Sequence, residues 1–127
     1  MRYLLDVNAL IALGIDHHIF HTRVENWVAS FSKEGIPKMA TCCVRIASQV
    51  HTYSISLAQA KTLLKEMKKA ARFDFRFIPD GNDISRLPNW VNLSKQTTDG
   101  HLFQLSRSNR AVLATLDEGI PNAFVIP

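Results

Sequence analysis

Three aspartates flank apolar stretches in places where their carboxylates could meet. Asp6 directly follows an apolar run at the start of the chain, Asp117 follows another near its end, and Asp99 lies at the start of a predicted helix. Carboxylates brought together in one crevice repel each other and titrate abnormally unless a cation lies among them. Because hard oxygen ligands of this kind suit Mg²⁺ or Mn²⁺, the pattern predicts a site for a divalent cation.

Two further polar residues are close enough in sequence to support such a site. Asn8 follows Asp6 by two residues, so its amide could orient a ligand or a metal-bound water. Thr115 precedes Asp117 by two residues and points to the same side of its predicted strand, where its hydroxyl could act similarly. The simpler interpretation of Thr115 is an ordinary strand threonine.

A purely structural explanation exists for each aspartate. Asp6 could cap the helix after the first strand, Asp99 could cap its own helix, and Asp117 could form a turn before Gly119. Each explanation is adequate for its own residue. Together they leave unexplained why three separate carboxylates are predicted at one edge of the sheet.

That edge is defined by alternating strand and helix patterns. Consecutive apolar residues at 3–5 predict a strand buried on both faces, which is typical of a parallel sheet. Apolar runs and turn residues predict further strands at 37–41, 75–78, 111–116 and 123–126. Helical spacing predicts helices over 8–14, 21–32 and 44–53, one capped by Ser56, and one beginning at Thr98 or Asp99.

This alternation predicts an α/β sandwich around a mostly parallel sheet of about five short strands. In such sheets the functional crevice lies beyond the carboxyl ends of the strands, where Asp6 and Asp117 are expected.

The composition fits one compact domain spanning residues 1–127. With 46% hydrophobic and 20% charged residues the chain is not of the disordered class, and no apolar run reaches the length of a membrane span. Asp6 and Asn8 interrupt the apolar start, and Cys42 and Cys43 are adjacent and form no disulfide framework, so we expect a cytoplasmic protein. A net charge of +4 permits a polyanionic partner without demanding one.

One predicted helix carries a basic stripe. Its residues recur at three- and four-residue intervals and are Lys61, Lys65, Lys68 and Arg72. An RNA backbone could lie along this stripe, although a solvated helix face is the simpler explanation.

Histidines give weaker signals. His17 and His21 have the i, i+4 spacing of helical zinc sites, but no third ligand is evident and a surface loop entering a helix is favoured. His101 follows Asp99 by two residues and could serve as a general base.

Four segments carry a specific combination of residues: Leu5-Asp6-Val7-Asn8-Ala9-Leu10, Ala40-Thr41-Cys42, Thr97-Thr98-Asp99-Gly100-His101-Leu102 and Ala114-Thr115-Leu116-Asp117. In this order and at these separations they resemble the PIN-domain ribonucleases, and most closely the VapC-like toxins of bacterial toxin–antitoxin pairs. The resemblance covers essentially the whole chain.

The resemblance implies a PIN-like three-layer α/β/α sandwich and a Mg²⁺- or Mn²⁺-dependent endonuclease that acts on RNA. It places Asp6, Asp99 and Asp117 on acidic metal-site positions, and Asn8 and Thr115 on polar positions that orient ligands. It also implies a homodimer that is neutralised by a cognate antitoxin protein.

One acidic position of the family is different in this chain. The family usually carries Glu a few residues after the Thr-Cys segment, where this chain has Ile46, which cannot ligate a cation. Gln49, about one helical turn further on, could offer an amide oxygen but no negative charge. We therefore expect weakened cleavage. The alternative is a catalytically silent PIN-fold module that binds RNA or a protein partner.

Overall fold

The computed structural model describes residues 1–33, 35–41, 56–79 and 87–127. The helix predicted over 44–53 lies outside these ranges, and so do Ile46 and Gln49, the adjacent Cys42 and Cys43, and His51. None of the described helices is long and apolar enough to cross a membrane.

Five strands form one sheet in which every neighbouring pair is parallel. They are β1 (Arg2–Leu5), β2 (Lys38–Thr41), β3 (Asp74–Phe77), β4 (Ala111–Thr115) and β5 (Phe124–Val125), in the order β3-β2-β1-β4-β5. Strand β1 is central and lies between β2 and β4, so Leu4 is aligned with Ala40 on one side and with Leu113 on the other. The predicted mostly parallel sheet of five short strands is confirmed.

Four helices are described, and each begins close to its predicted position. They are α1 (Val7–Gly14), α2 (His21–Ala29), α3 (Leu57–Lys69) and α4 (Thr97–Ser108). Ser56 caps α3 as predicted, since its hydroxyl accepts from the Gln59 amide at 3.1 Å while the Gln59 side chain accepts from the Ser56 amide at 2.7 Å.

The helices form two layers, one on each face of the sheet. Leu5 and Met39 face a core shared with α1, α2 and α3. Leu4, Ala40 and Leu113 face the opposite way and pack with α4. Side chains alternate between the two faces of a strand, so each strand contributes to both cores and an α/β/α sandwich results.

Several helix boundaries differ from prediction, and α1 begins at Val7, one residue earlier than expected. Helix α2 was predicted to reach Ser32 but ends at Ala29, and a 3₁₀ turn (Ser30–Lys33) follows it. The Ser30 hydroxyl donates to the carbonyl of Trp27 at 2.6 Å, so it competes with the backbone for that acceptor as the helix tightens. Helix α4 begins at Thr97, one residue earlier than expected, which places Asp99 inside its first turn.

Candidate active site

The strand order reverses at β1, because the chain continues from β1 to β2 on one side and reaches β4 on the other. A crevice opens beyond the carboxyl ends of strands at such a point. The backbone amide of Asp6 donates to the carbonyl of Ala114 at 3.1 Å, so the β1–β4 pairing continues to Asp6 itself. The sheet therefore fixes this aspartate at the mouth of the crevice.

Asp6 is 8% exposed, and both of its carboxylate oxygens are engaged. Oδ1 accepts from the amide of Ala9 at 2.8 Å, which makes Asp6 the N-cap of α1. Oδ2 accepts from the hydroxyl of Thr115. The capping explanation for Asp6 is thus correct, and the same carboxylate also lines the crevice.

Thr115 is fully buried and joins two of the aspartates. Its hydroxyl donates to Asp6 and accepts from the backbone amide of Asp117 at 3.0 Å. Both hydrogen-bonding functions of the hydroxyl are used within the site. This threonine lies behind the crevice wall and positions the residues that form it.

Asp117 is exposed and has a turn-forming role as well. Its Oδ1 accepts from the amide of Gly119 at 2.7 Å, as the turn explanation predicts. Asp99 differs, because Gln96 is the N-cap residue of α4 and Asp99 does not cap the helix. The capping explanation for Asp99 is wrong, and its carboxylate is half-buried against the crevice instead.

All three aspartates line one open cavity of about 210 Å³ at this edge of the sheet. Asn8 also lines it, as do Val7, Thr98 and Leu102. Thr98 was not singled out from the sequence, although it directly precedes Asp99. The sequence places Thr98 in the first turn of an amphipathic helix. Whether its side chain faces the crevice depends on the angle at which that helix packs, which the sequence does not give.

Among the described residues that line the cavity, three are aspartates and none is a lysine, arginine or histidine. Burial raises the pKa of the Asp6 carboxyl, hydrogen bonds from Thr115 and Ala9 oppose this, and the charges of Asp99 and Asp117 raise the pKa further. Burial also raises the pKa of Asp99, and the nearby charge of Asp117 adds to the effect. Asp99 and Asp117 are therefore close enough to disfavour the ionisation of Asp6, and Asp117 is close enough to disfavour that of Asp99.

The donor set consists of hard carboxylate oxygens with a neighbouring amide, which is chemistry suited to Mg²⁺ or Mn²⁺. Within the described ranges, no group of three or more His, Cys, Asp or Glu side chains is arranged to hold a metal ion as it stands. The aspartates share a cavity, and an ion would have to draw them closer together.

The predicted basic stripe is only partly on α3, which packs on the sheet face opposite to α4: Lys61, Lys65 and Lys68 belong to the helix, whereas Arg72 lies beyond its end at Lys69. Lys61 and Lys65 are exposed. Lys68 lies over the ring of Phe77 at 4.3 Å, and Arg72 forms an ion pair with Glu25. Part of the stripe therefore makes contacts within the protein itself.

His21 and His17 are not brought into a common site. A ring nitrogen of His21 lies 2.7 Å from the carbonyl oxygen of Ala12, and the His17 side chain is exposed in the loop before α2. His17 thus lies in a surface loop and His21 begins α2, as the surface-loop interpretation predicts.

Comparison with known proteins identifies relatives across nearly the whole chain. Ribonuclease VapC38 of Mycobacterium tuberculosis is 34% identical, and the match covers 92% of this chain and 86% of that protein. Ribonuclease VapC29 of the same organism is 32% identical over 94% of this chain and 89% of its own length. No protein-family model matches the chain.

A solved structure has the same fold. The crystal structure of VapBC2 from Rickettsia felis bound to a DNA fragment from their promoter aligns with a TM-score of 0.60 and 17% identity. The alignment covers 98% of this chain and 96% of that one. The three-layer fold and the extended sequence identity show that the chain belongs to the VapC family of PIN-domain toxins.

Proposed function

We propose that this chain is a toxin-type endoribonuclease that depends on Mg²⁺ or Mn²⁺ and cleaves RNA phosphodiester bonds. One observation carries the proposal: three carboxylates line a single cavity at the strand-order reversal, and Thr115 bonds to the Asp6 carboxylate and the Asp117 backbone. The relatives that are named ribonucleases support the activity.

In this proposal Asp6, Asp99 and Asp117 hold the divalent ion. When bound, such an ion lowers the pKa of a coordinated water and stabilises charge on the phosphodiester. Asp6 is the fixed member, because the sheet, the Ala9 amide and the Thr115 hydroxyl hold it. Asp117 and Asp99 lie on a turn and on a helix, so they can adjust toward the ion.

Two neutral residues complete the site. The Asn8 side chain lies at the cavity and can orient a water molecule or an RNA oxygen through its amide. Thr115 keeps its buried hydroxyl on Asp6 and thereby holds the direction of the carboxylate. Ile46 stands where the family resemblance implies an acid, so we expect a lower affinity for the ion than a four-acid site would give.

The partners follow from the same proposal. RNA is the substrate, and a cognate antitoxin protein is the expected inhibitor, in line with the VapBC complex that shares the fold. A basic antitoxin side chain could pair with the uncompensated carboxylates. We further propose that the chain forms a homodimer and acts in the cytoplasm.

Cleavage of a mixed RNA pool by the purified chain, with and without Mn²⁺, tests the proposal. We expect cleavage that requires the ion and falls at least about a hundredfold in Asp6→Asn. Asp16→Asn is the matched control, because Asp16 is 93% exposed in a loop outside the cavity. RNA binding without cleavage at saturating Mn²⁺ would instead support the catalytically silent module.

A further inference from the structure

A second charged feature lies on the sheet face that α4 only partly covers. Helix α4 packs against β4 and β1, beside the strands β2 and β3. On this half of the face an open trough of about 280 Å³ is lined by Arg2, Arg76, Phe77, Ile78, Pro79 and Asn109. It shares no lining residue with the acidic cavity.

The strand register explains how the two arginines meet. Arg2 is two residues before Leu4 on β1, and Arg76 is aligned with Ala40 on β2. Leu4 and Ala40 both face the α4 side, so Arg2 and Arg76 project to that side too. Lys38, aligned with Asp74, lies on the same face and is exposed.

Arg2 is unusually deep for an arginine, with a side chain that is 18% exposed. Its Nη1 is buried and has no hydrogen-bond partner among the described residues. Its Nη2 lies 3.7 Å from Asp74, which is longer than the roughly 2.7–3.2 Å of a good hydrogen bond. The Asp74 carboxylate therefore leaves the Arg2 guanidinium incompletely paired, and Arg2 lines the trough.

The single carboxylate of Asp74 does not neutralise the positive charge around it. It is shared with Arg76, whose Nε lies 3.8 Å from its other carboxylate oxygen. Counted over the described residues, this part of the face carries the cations Arg2, Arg76 and Lys38 and the single carboxylate of Asp74. Arg76 is 67% exposed, so its guanidinium is free to turn toward a ligand in the trough.

We propose that this trough binds a phosphate group of the RNA strand, outside the cleavage cavity. Two guanidinium groups match phosphate oxygens in planar, paired hydrogen bonds, and an open trough suits a chain more than a small enclosed ligand. Arg2 of the trough lies four residues before Asp6 of the cavity along β1 and its continuation, roughly 13 Å away, so one RNA strand can reach both sites. The inference rests on the proposed function, since it concerns how that RNA is held.

The test is binding of a labelled single-stranded RNA oligonucleotide to the full chain, with chelator present to prevent cleavage. Arg76→Gln and Arg2→Gln are compared with Lys69→Gln, which removes the same charge from an exposed position at the end of α3. We expect about tenfold weaker binding for the two arginine variants. The slope of the logarithm of the binding constant against the logarithm of the salt concentration should fall in magnitude by about 0.7 for each lost phosphate contact. Lys69→Gln should change the affinity by less than about twofold.

Arg76→Gln keeps the test valid if Arg2→Gln unfolds, because Arg76 is largely exposed. If RNA binds but both arginine variants match Lys69→Gln, the trough is not a phosphate site, while the proposed function stands. Inorganic phosphate could raise the melting temperature of the unmodified chain but not that of Arg76→Gln, while both proteins bind RNA equally well. This result would assign the trough to a free anion and overturn the proposal. If the unmodified chain binds no RNA, the proposed function fails first.

Discussion

The hydroxyl of Thr115 donates to Asp6 across a sequence separation of 109 residues, and its oxygen also receives the amide of Asp117. One buried hydroxyl thus joins the end of β1 to the turn after β4. Thr115 therefore fixes the position of Asp6 relative to the Asp117 backbone at the acidic cavity.

We predict that Thr115→Val lowers the free energy of unfolding by about 1–3 kcal/mol, because it leaves a buried Asp6 oxygen and the Asp117 amide without a partner. The shape of the side chain is kept, so packing changes little. Urea unfolding measures the stability change, and RNA cleavage measured at equal folded fraction should fall at least about tenfold. Thr115→Ser keeps the hydroxyl and should retain most of the activity. Equal activity in the Val and Ser variants would contradict the positioning role.

A second prediction concerns pH and the charge of Asp6. Burial raises its folded pKa above 3.8, so the stability linked to the protonated carboxyl is present at low pH and is lost as pH rises through the folded pKa. Asp6→Asn can keep the N-cap acceptor and has no charge to bury. We expect its melting temperature in chelator to exceed that of the unmodified chain by a few degrees at pH 7.

Thermal unfolding of both proteins from pH 3.5 to 7.5 checks this expectation. The difference in melting temperature between the two proteins should narrow toward low pH, where the Asp6 carboxyl becomes protonated in both folded and unfolded chains. Added Mn²⁺ should stabilise the unmodified chain more than Asp6→Asn. A gap that stays constant across the pH range would show that Asp6 ionisation does not limit stability.

The third prediction concerns Ile46, which stands where the family resemblance implies a glutamate. We expect Ile46→Glu to bind Mn²⁺ more tightly and to cleave RNA faster, since it restores one negative charge and one or two oxygen ligands. About 1.4 kcal/mol of added binding is a tenfold gain in affinity. Calorimetric titration and cleavage at saturating metal measure the two effects, with Ile46→Gln as the uncharged control. If the unmodified chain already binds Mn²⁺ and cleaves RNA as well as a folded Ile46→Glu variant, an acid at this position is dispensable.

The fourth prediction concerns the packing behind Asp99. A Cβ atom at Gly100 would lie 2.3 Å from Cγ2 of Val91, so an alanine must displace either α4 or the 87–93 segment. Overpacking costs about 1–3 kcal/mol, against which the better helix propensity of alanine returns about 1 kcal/mol. We expect net destabilisation and reduced cleavage, because Asp99 moves with the helix.

Val91→Ala makes room for the added methyl group and supplies the control. In a double-mutant cycle, the cost of Gly100→Ala should shrink when Val91 is already alanine. Additive costs would mean that the close approach does not constrain the first turn of α4.

Local patterns in the sequence were sufficient for the strands and for much of the site. Consecutive apolar residues identified β1, and the Ser56 cap was correct, because both depend on neighbours in the chain. Asp6 and Asp117 could be placed because each directly follows a strand-like run. The early end of α2 and the entry of Thr98 into the cavity could not be predicted, since they depend on a side-chain hydrogen bond and on helix packing.

The burial of Arg2 also could not be predicted from the sequence. Nothing around it in the sequence distinguishes it from a solvated basic residue at the start of a strand. Its burial follows from the register of β1 against β2 and from the position of α4, which are contacts between distant parts of the chain.

The long reach of the Thr115–Asp6 hydrogen bond also has a consequence for biosynthesis. A ribosome makes the chain from its amino end at about 5–20 residues per second, so Asp6 leaves the ribosome several seconds before Thr115 and Asp117. Strand β1 cannot acquire its β4 neighbour until that late segment has emerged. The nascent polypeptide therefore carries no assembled acidic site until the segment with Thr115 and Asp117 has emerged, and any nuclease activity begins only after that point.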